Sequence, residues 1–401
     1  MTVRAAVEAV VAAHVGETFP ACAICVVHQG TALVDAGWGW IDPETRRIPA
    51  TAETLFDFAS LTKLFTASAC LSLMSAADLS LDTPLGHVVR EFNALSPRPV
   101  DGGQDPHSKQ RLPTPPEMAG LMIDPARVTF RHLLTHTSGL PPWRDVFNEA
   151  GPAPAPPDQP DDVPRPTRWS RALAALARYP FVAQPNGIVR YSDIGLMLLG
   201  EATARLHGSG DLDTAIRAQV LIPLEIGPLC FNPVRDARIP RELIAPTEDD
   251  PAWRGRRAWG EVHDENACGV GGVAGHAGMF GTARALAAFG VRWLSSDTPF
   301  GITAKLKKAA TTLQAETNGT RRGLGFALKA ETDSMAGDRL SMASYGHSGF
   351  TGTTLWIDPK AGLVIAVLTN SVYAGRHSAA YDRTHDFRRA LHDAVAEACG
   401  L

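Results

Sequence analysis

The sequence has no surplus of basic residues: 38 lysines and arginines stand against 42 aspartates and glutamates, for a formal net charge of −4. A chain of that sign has little with which to displace counterions from a polyphosphate backbone, so nucleic acid is not an expected partner. It also lacks a long hydrophobic run. The longest apolar stretches, such as 362–369, are strand-sized, against the roughly 20 residues of a membrane helix, so no membrane partner is expected. Residues 1–17 carry Arg4 and Glu8 among alanines and valines, without the unbroken apolar core and small-residue cleavage site of an export signal. They read as an amphipathic helix and point to the cytoplasm, or to the periplasm only if a leader has been removed. The six cysteines are scattered and make no disulfide framework, so reduced core thiols are expected. Cys22 and Cys25 do form a C-x-x-C, but within the strand-like run 21–27, where alternation sends the two thiols to opposite faces. No internal repeat is visible, and no H-E-x-x-H spacing offers a metal.

What is present is a chain of 401 residues, 45% hydrophobic and 20% charged, enough for a large core in two lobes. Residues 22–27 and 32–39 predict two strands joined at His28-Gln29-Gly30, and 352–357 and 363–368 predict a second pair joined at 358–362. Residues 382–398 are helix-like. The two chain ends therefore share one sheet. Between them helical periods dominate, at 61–76, 171–176, 194–206 and 283–293. The fold class is α/β (α+β): an antiparallel β-sheet flanked by N- and C-terminal helices, residues 1–60 and 283–401, with a mainly helical domain, 61–282, inserted. Two proline-rich stretches, 96–116 and 151–168, read as long loops unable to make regular helix and available as lips or lids of a substrate cleft.

Chemistry is suggested first by Ser60-Leu61-Thr62-Lys63. Three residues apart at a helix start, hydroxyl and amine share a face. A neutral, desolvated lysine can take the proton that makes serine a nucleophile, and the helix N-terminus favours a developing oxyanion. The bland alternative is a capping serine and a surface lysine. Tyr191-Ser192-Asp193 precedes another helix. Its phenol, ionised more easily beside an ammonium, can relay protons, or it is a half-buried tyrosine at a seam. In His347-Ser348-Gly349, opening the strand pair that ends the sheet, small residues let a substrate lie along the strand, and the Phe350 N–H with that of Ser60 can form an oxyanion hole. Turn chemistry is the alternative. His136 is expected to be a structural loop histidine. Trp253 and Trp259, flanking the basic run 254–257, either stack on a sugar or pack on the surface.

In order and spacing these three motifs, with 133–140 and 349–353 beside them, resemble those of the class C β-lactamase, DD-peptidase and esterase family of serine hydrolases. The resemblance implies a sheet domain beside an all-helical one, with the active site in the cleft between them. It implies acylation of Ser60, proton transfers shared by Lys63 and Tyr191 with either as base, and release by water, needing neither metal nor organic cofactor. His347 stands where β-lactamases and DD-peptidases usually carry lysine, so the fixed cation that grips a substrate carboxylate is missing, and strong β-lactamase activity is not expected. Asp193 stands where asparagine is common. It would repel an anionic substrate, pair with Lys63, or cap its helix. Residues 260–267 and 271–278 resemble the branch associated with peptidoglycan fragments and, in part, N-acetylmuramoyl-L-alanine amidase activity. His263, Asp264, Glu265 and His276 there either line a sugar or peptide subsite or satisfy one another in a glycine-rich loop. The expected substrate is a small ester, amide or muropeptide. The alternatives are a penicillin-binding or peptidoglycan-sensing protein with slow turnover and, more weakly, a true β-lactamase.

Overall fold

A computed structural model of the chain describes residues 1–106, 108–225, 227–376 and 378–401. Its frame is built from helices α1 (Val3–Ala12), α2 (Thr62–Ala76), α3 (Arg165–Leu176), α4 (Asp193–His207), α5 (Ala283–Leu294) and α6 (Ser378–Ala398). The main sheet comprises β1 (Ala21–His28), β2 (Thr31–Gly39), β3 (Ala315–Thr317), β4 (Thr320–Arg322), β5 (Ala327–Leu328), β6 (Tyr345–Ser348), β7 (Thr354–Asp358) and β8 (Leu363–Thr369). These eight strands run antiparallel in the order β3-β4-β5-β6-β7-β8-β1-β2. The two chain ends meet where β1 pairs β8 with Cys22 opposite Thr369.

Alternation along β1 decides what each face buries. Cys22, Ile24 and Val26 pack with Val7 and Val11 of α1 and Phe387 and Leu391 of α6. Ala21, Ala23 and Cys25 face the opposite core, which holds Leu286, Phe289 and Trp293 of α5. The two thiols of the C-x-x-C thus lie on different sides of the sheet. The helix α5 can settle close to the sheet because of Gly290, where a Cβ would come within 2.6 Å of the Val364 side chain. Beyond α5, α2 is buried on nearly every side, including Leu64, Phe65, Leu71 and Met74, as befits the central helix of the second core. A small sheet joins Phe56–Asp57, Met279–Gly281 and Leu229–Phe231, and its first strand leads directly into the turn that carries Ser60.

Three expectations need correction. α3 begins at Arg165, inside the stretch expected to be loop, because Pro166 falls in its first turn, where a missing N–H has no helical partner to lose. His347 and Ser348 close strand β6 rather than opening a strand pair. The proline-rich stretches are tied down by arginines. Arg168 is bidentate to Asp161 (2.8 and 2.9 Å) and donates to the Pro152 carbonyl (2.7 Å). Arg235 and Arg256 hold the carbonyls of Ala155 and Pro154 at 2.8 and 3.0 Å. None of the described residues of either stretch lines the cleft around Ser60.

Candidate active site

The turn that carries Ser60 is held on several sides. Ala59, at φ +47°, adopts a left-handed conformation that costs an L-residue free energy. Buried Asp57 holds this turn, accepting the Ala59 N–H at 2.8 Å on one oxygen and the His263 N–H at 2.7 Å on the other. Burial raises its carboxyl above the usual range, against the pull of those two bonds. Thr351 and Thr353 donate to the carbonyls of Asp57 (2.9 Å) and Phe58 (3.0 Å). The turn after β6 is thereby fastened to the segment before the serine. Only glycine fits at 349, since a Cβ there would lie 2.6 Å from the Phe58 carbonyl oxygen.

Ser60 Oγ accepts from Lys63 Nζ and from Tyr191 Oη, each at 2.8 Å. Lys63 is no surface lysine: it is 1% exposed, and its ammonium also donates to the His276 carbonyl (2.9 Å) and pairs with Asp193 Oδ1 (2.8 Å). Burial alone would depress the amine. The Asp193 carboxylate and the Tyr191 oxygen outweigh it and hold Lys63 above the ordinary lysine value. Burial raises the Tyr191 phenol, against the pull of the Lys63 charge. Both groups therefore hold their protons at rest. Asp193 serves Lys63, and Ser192 caps α4 by accepting the Gly195 N–H at 2.9 Å.

His347 is buried, its ring 5.8 Å from that of Tyr191. Burial, then the charges of Arg322 and Lys63, hold its imidazole well below the usual histidine value, so it is neutral. Its Nδ1 lies 2.7 Å from the Ser348 carbonyl, which makes Nδ1 the protonated nitrogen. Ser348, Gly349 and half-exposed Phe350 line a cleft of about 460 Å³ with Ser60, Tyr191, His347 and Arg322. The Phe350 ring stacks on His263 at 5.8 Å.

The remaining candidates each have a partner within the protein. His276 Nε2 meets Asp264 at 2.8 Å, and His263 Nε2 meets Glu248 at 2.8 Å. Glu265 is bound by Arg376 (2.9 Å) and Lys109 (3.1 Å). It is the backbone of His276, not its ring, that reaches Lys63. Trp259 donates to the carbonyls of Arg241 and Ile244, and Trp253 packs edge-on to Phe147 at 4.9 Å. His136 is a structural histidine with a role beside the site, its ring 4.7 Å from that of Tyr191 and its Nδ1 accepting the Ser192 N–H at 3.1 Å.

Two arginines at the cleft escape a motif search. Arg322 on β4 places its guanidinium 5.5 Å from the Tyr191 ring centre. Its signal was the Asn318-Gly319 pair, a strong hairpin marker, with both residues at positive φ between β3 and β4. Arg388 lies on α6, and its signal was a charge on the same helical face as Phe387, Leu391 and Val395, all fully buried.

A serine within hydrogen-bond reach of both a lysine and a phenol, at the mouth of a cleft beside an antiparallel sheet, defines a serine hydrolase of the acyl-enzyme class. The chain belongs to the Beta-lactamase family, whose sequence model matches residues 5–388. A provisionally named D-alanyl-D-alanine carboxypeptidase of Escherichia coli K12 is 28% identical over 348 residues, covering 82% of this chain and 71% of that protein. An N-acetylmuramyl-L-alanine amidase of Bacillus subtilis is 28% identical over 385 residues, covering 91% and 80%. Among solved structures, a variant of simvastatin synthase from Aspergillus terreus superposes with a TM-score of 0.69 at 18% identity, covering 98% of both chains. A penicillin-binding protein homologue from Caulobacter crescentus gives 0.65 at 20% identity, covering 98% and 97%. At such identities these likenesses concern the fold.

Proposed function

We propose that Ser60 is the nucleophile of an acyl-transfer cycle on an amide or ester, with Lys63 and Tyr191 as its proton carriers. The observation that carries this is the pair of 2.8 Å contacts converging on Ser60 Oγ. In the reactive form the Lys63–Tyr191 pair holds one proton fewer and takes the Ser60 proton as Oγ bonds to the substrate carbonyl carbon. The carbonyl electrons move to oxygen, facing the backbone N–H groups of Ser60 and Phe350. Collapse breaks the bond to the leaving nitrogen or oxygen, which receives that proton. Water then repeats the two steps on the acyl-enzyme and frees the acid.

Arg322 supports an anionic substrate. It supplies beside Tyr191 the fixed charge that neutral His347 lacks, and a muropeptide or a carboxylate-bearing ester fits that chemistry. The two curated relatives are named for cleaving peptidoglycan amide bonds, which favours the muropeptide. No helix of the described residues is long and apolar enough to cross a membrane. All six cysteines are free thiols, which fits a reducing compartment and peptidoglycan fragments as cytoplasmic substrates.

Intact-protein mass spectrometry with muropeptides, 4-nitrophenyl esters and penicillin, one at a time, tests the proposal. A covalent acyl adduct on the wild-type chain that is absent from Ser60→Ala is the expected result. Turnover that survives in Ser60→Ala would sink it.

A further inference from the structure

Arg388 is a buried cation, 3% exposed, and no carboxylate pairs with it among the described residues. Burial pulls its guanidinium down to about 10. Its donors go instead to one turn: the carbonyls of Gly349 (2.5 Å), Thr353 (3.0 Å) and Gly352 (3.2 Å), with the Met335 sulfur at 3.5 Å. A hydrocarbon side chain would fill such a site without the desolvation penalty of a charge. What the guanidinium supplies, and a hydrocarbon cannot, is direction.

In a trans peptide the C=O and the next N–H point in opposite directions. Drawing the Gly349 carbonyl onto Arg388 therefore turns the Phe350 N–H away from α6. Gly349 itself abuts the peptide before the nucleophile, since a Cβ on it would lie 3.2 Å from the Ala59 Cβ and 2.6 Å from the Phe58 oxygen. A hydrogen bond from a cation to a carbonyl also polarises the amide it belongs to, making its N–H a stronger donor. We propose that Arg388 is a positioning residue for the transition state: it clamps the Gly349–Thr353 turn so that the Phe350 N–H faces the oxyanion formed on attack by Ser60. The proposal rests on the acyl-enzyme reading above and adds to it what holds the oxyanion donor in place.

The test uses Arg388→Met, which removes the donors, and Arg388→Lys, which keeps the charge but loses the planar fork. Three measurements are made on the full chain, alongside thermal unfolding: kcat and KM for a 4-nitrophenyl ester, inhibition by phenylboronic acid, and the amide resonance of Phe350. Phenylboronic acid adds to a serine as a tetrahedral mimic, and the resonance is read after ¹⁵N-phenylalanine labelling and assigned by its loss in Phe350→Tyr. In Arg388→Met, kcat falls by about 10²-fold, the loss typical of one oxyanion donor, while KM holds. Phenylboronic acid binding weakens in parallel, Arg388→Lys is intermediate, and the Phe350 amide moves upfield in both variants. A folded variant with wild-type kcat and an unmoved Phe350 amide overturns the proposal. So does a rise in KM alone, which would mean that Arg388 grips substrate directly. If Arg388→Met does not fold, Arg388→Lys carries the same readings. If the wild-type chain neither turns over the ester nor binds phenylboronic acid, the acyl-enzyme reading fails, while the amide resonance still decides whether Arg388 orients that peptide.

Discussion

Asp193 keeps the proton on Lys63, and its removal is the sharpest single-residue test. Asp193→Asn leaves burial in place but deletes the largest effect opposing it, so the amine loses its proton at lower pH. The rising limb of kcat/KM that needs the pair one proton short then moves toward neutrality, and a pH–rate profile of the two proteins reads the displacement. An unmoved limb would mean that Lys63 does not belong to the titrating pair. Tyr191→Phe keeps the ring against His136 and His347 but deletes the oxygen, and kcat falls by about 10²–10⁴-fold, measured with any ester the wild type accepts. At this scale Ser60 and Lys63 were legible because three positions on a helix share a face whatever the rest of the chain does. Tyr191 and His347 were legible through their neighbours and through a family resemblance. Arg322 was not, because the strand that carries it is only three residues long and shows no period, and Arg388 was not, because the carbonyls it binds at Gly349 and Gly352 lie 39 and 36 residues away in the chain. For His263, Asp264, Glu265 and His276 the sequence left two readings open, a subsite or mutual satisfaction in the loop, because a cluster of ionisable residues looks alike in both. The structure pairs His276 with Asp264, His263 with Glu248, and Glu265 with Arg376 and Lys109.

Among the elements, the turn at Ala59 joins the small sheet to α2 in a conformation glycine adopts freely. Ala59→Gly relieves that strain and raises stability by up to about 1 kcal/mol, while kcat falls as Ser60 loses its fixed approach to Lys63 and Tyr191. Chemical denaturation and steady-state kinetics on one preparation check both signs. A gain in stability with kcat unchanged would show that the strain is not used. Strands β1, β2, β7 and β8 were readable because each is a run of five or more mostly apolar residues and each pair is joined by a turn containing glycine. The hairpin of β3 and β4 went unread because strands of three residues carry no period, although Asn318-Gly319 marked the turn between them. The start of α3 was misplaced because a proline, read as a breaker, sits at the one place in a helix that tolerates it.

Across the whole molecule the layers were predictable from the matching chain ends, but the buried charges that stitch the layers together were not. A buried neutral histidine sets a stability limit. His392 on α6 is fully buried, its Nδ1 2.8 Å from the Met335 carbonyl, and burial holds its imidazole down at about 4 against an ordinary 6.5. The unfolded chain therefore binds a proton more readily than the folded one between those values. Stability is full above pH 6.5 and falls toward pH 4, by about 3 kcal/mol in all for this group. Urea unfolding at pH 7 and pH 4.5 measures the fall, and His392→Gln flattens it; an identical slope in both proteins would contradict the assignment. The pairing of β1 with β8 also has a consequence for synthesis. The hairpin of β1 and β2 leaves the ribosome well before the strand that covers its inner edge, which is made more than three hundred residues later. At about 5–20 residues per second the nascent chain carries a bare apolar edge for tens of seconds. Chaperone supply during translation, more than the stability of the finished enzyme, should then govern how much of it a cell can make.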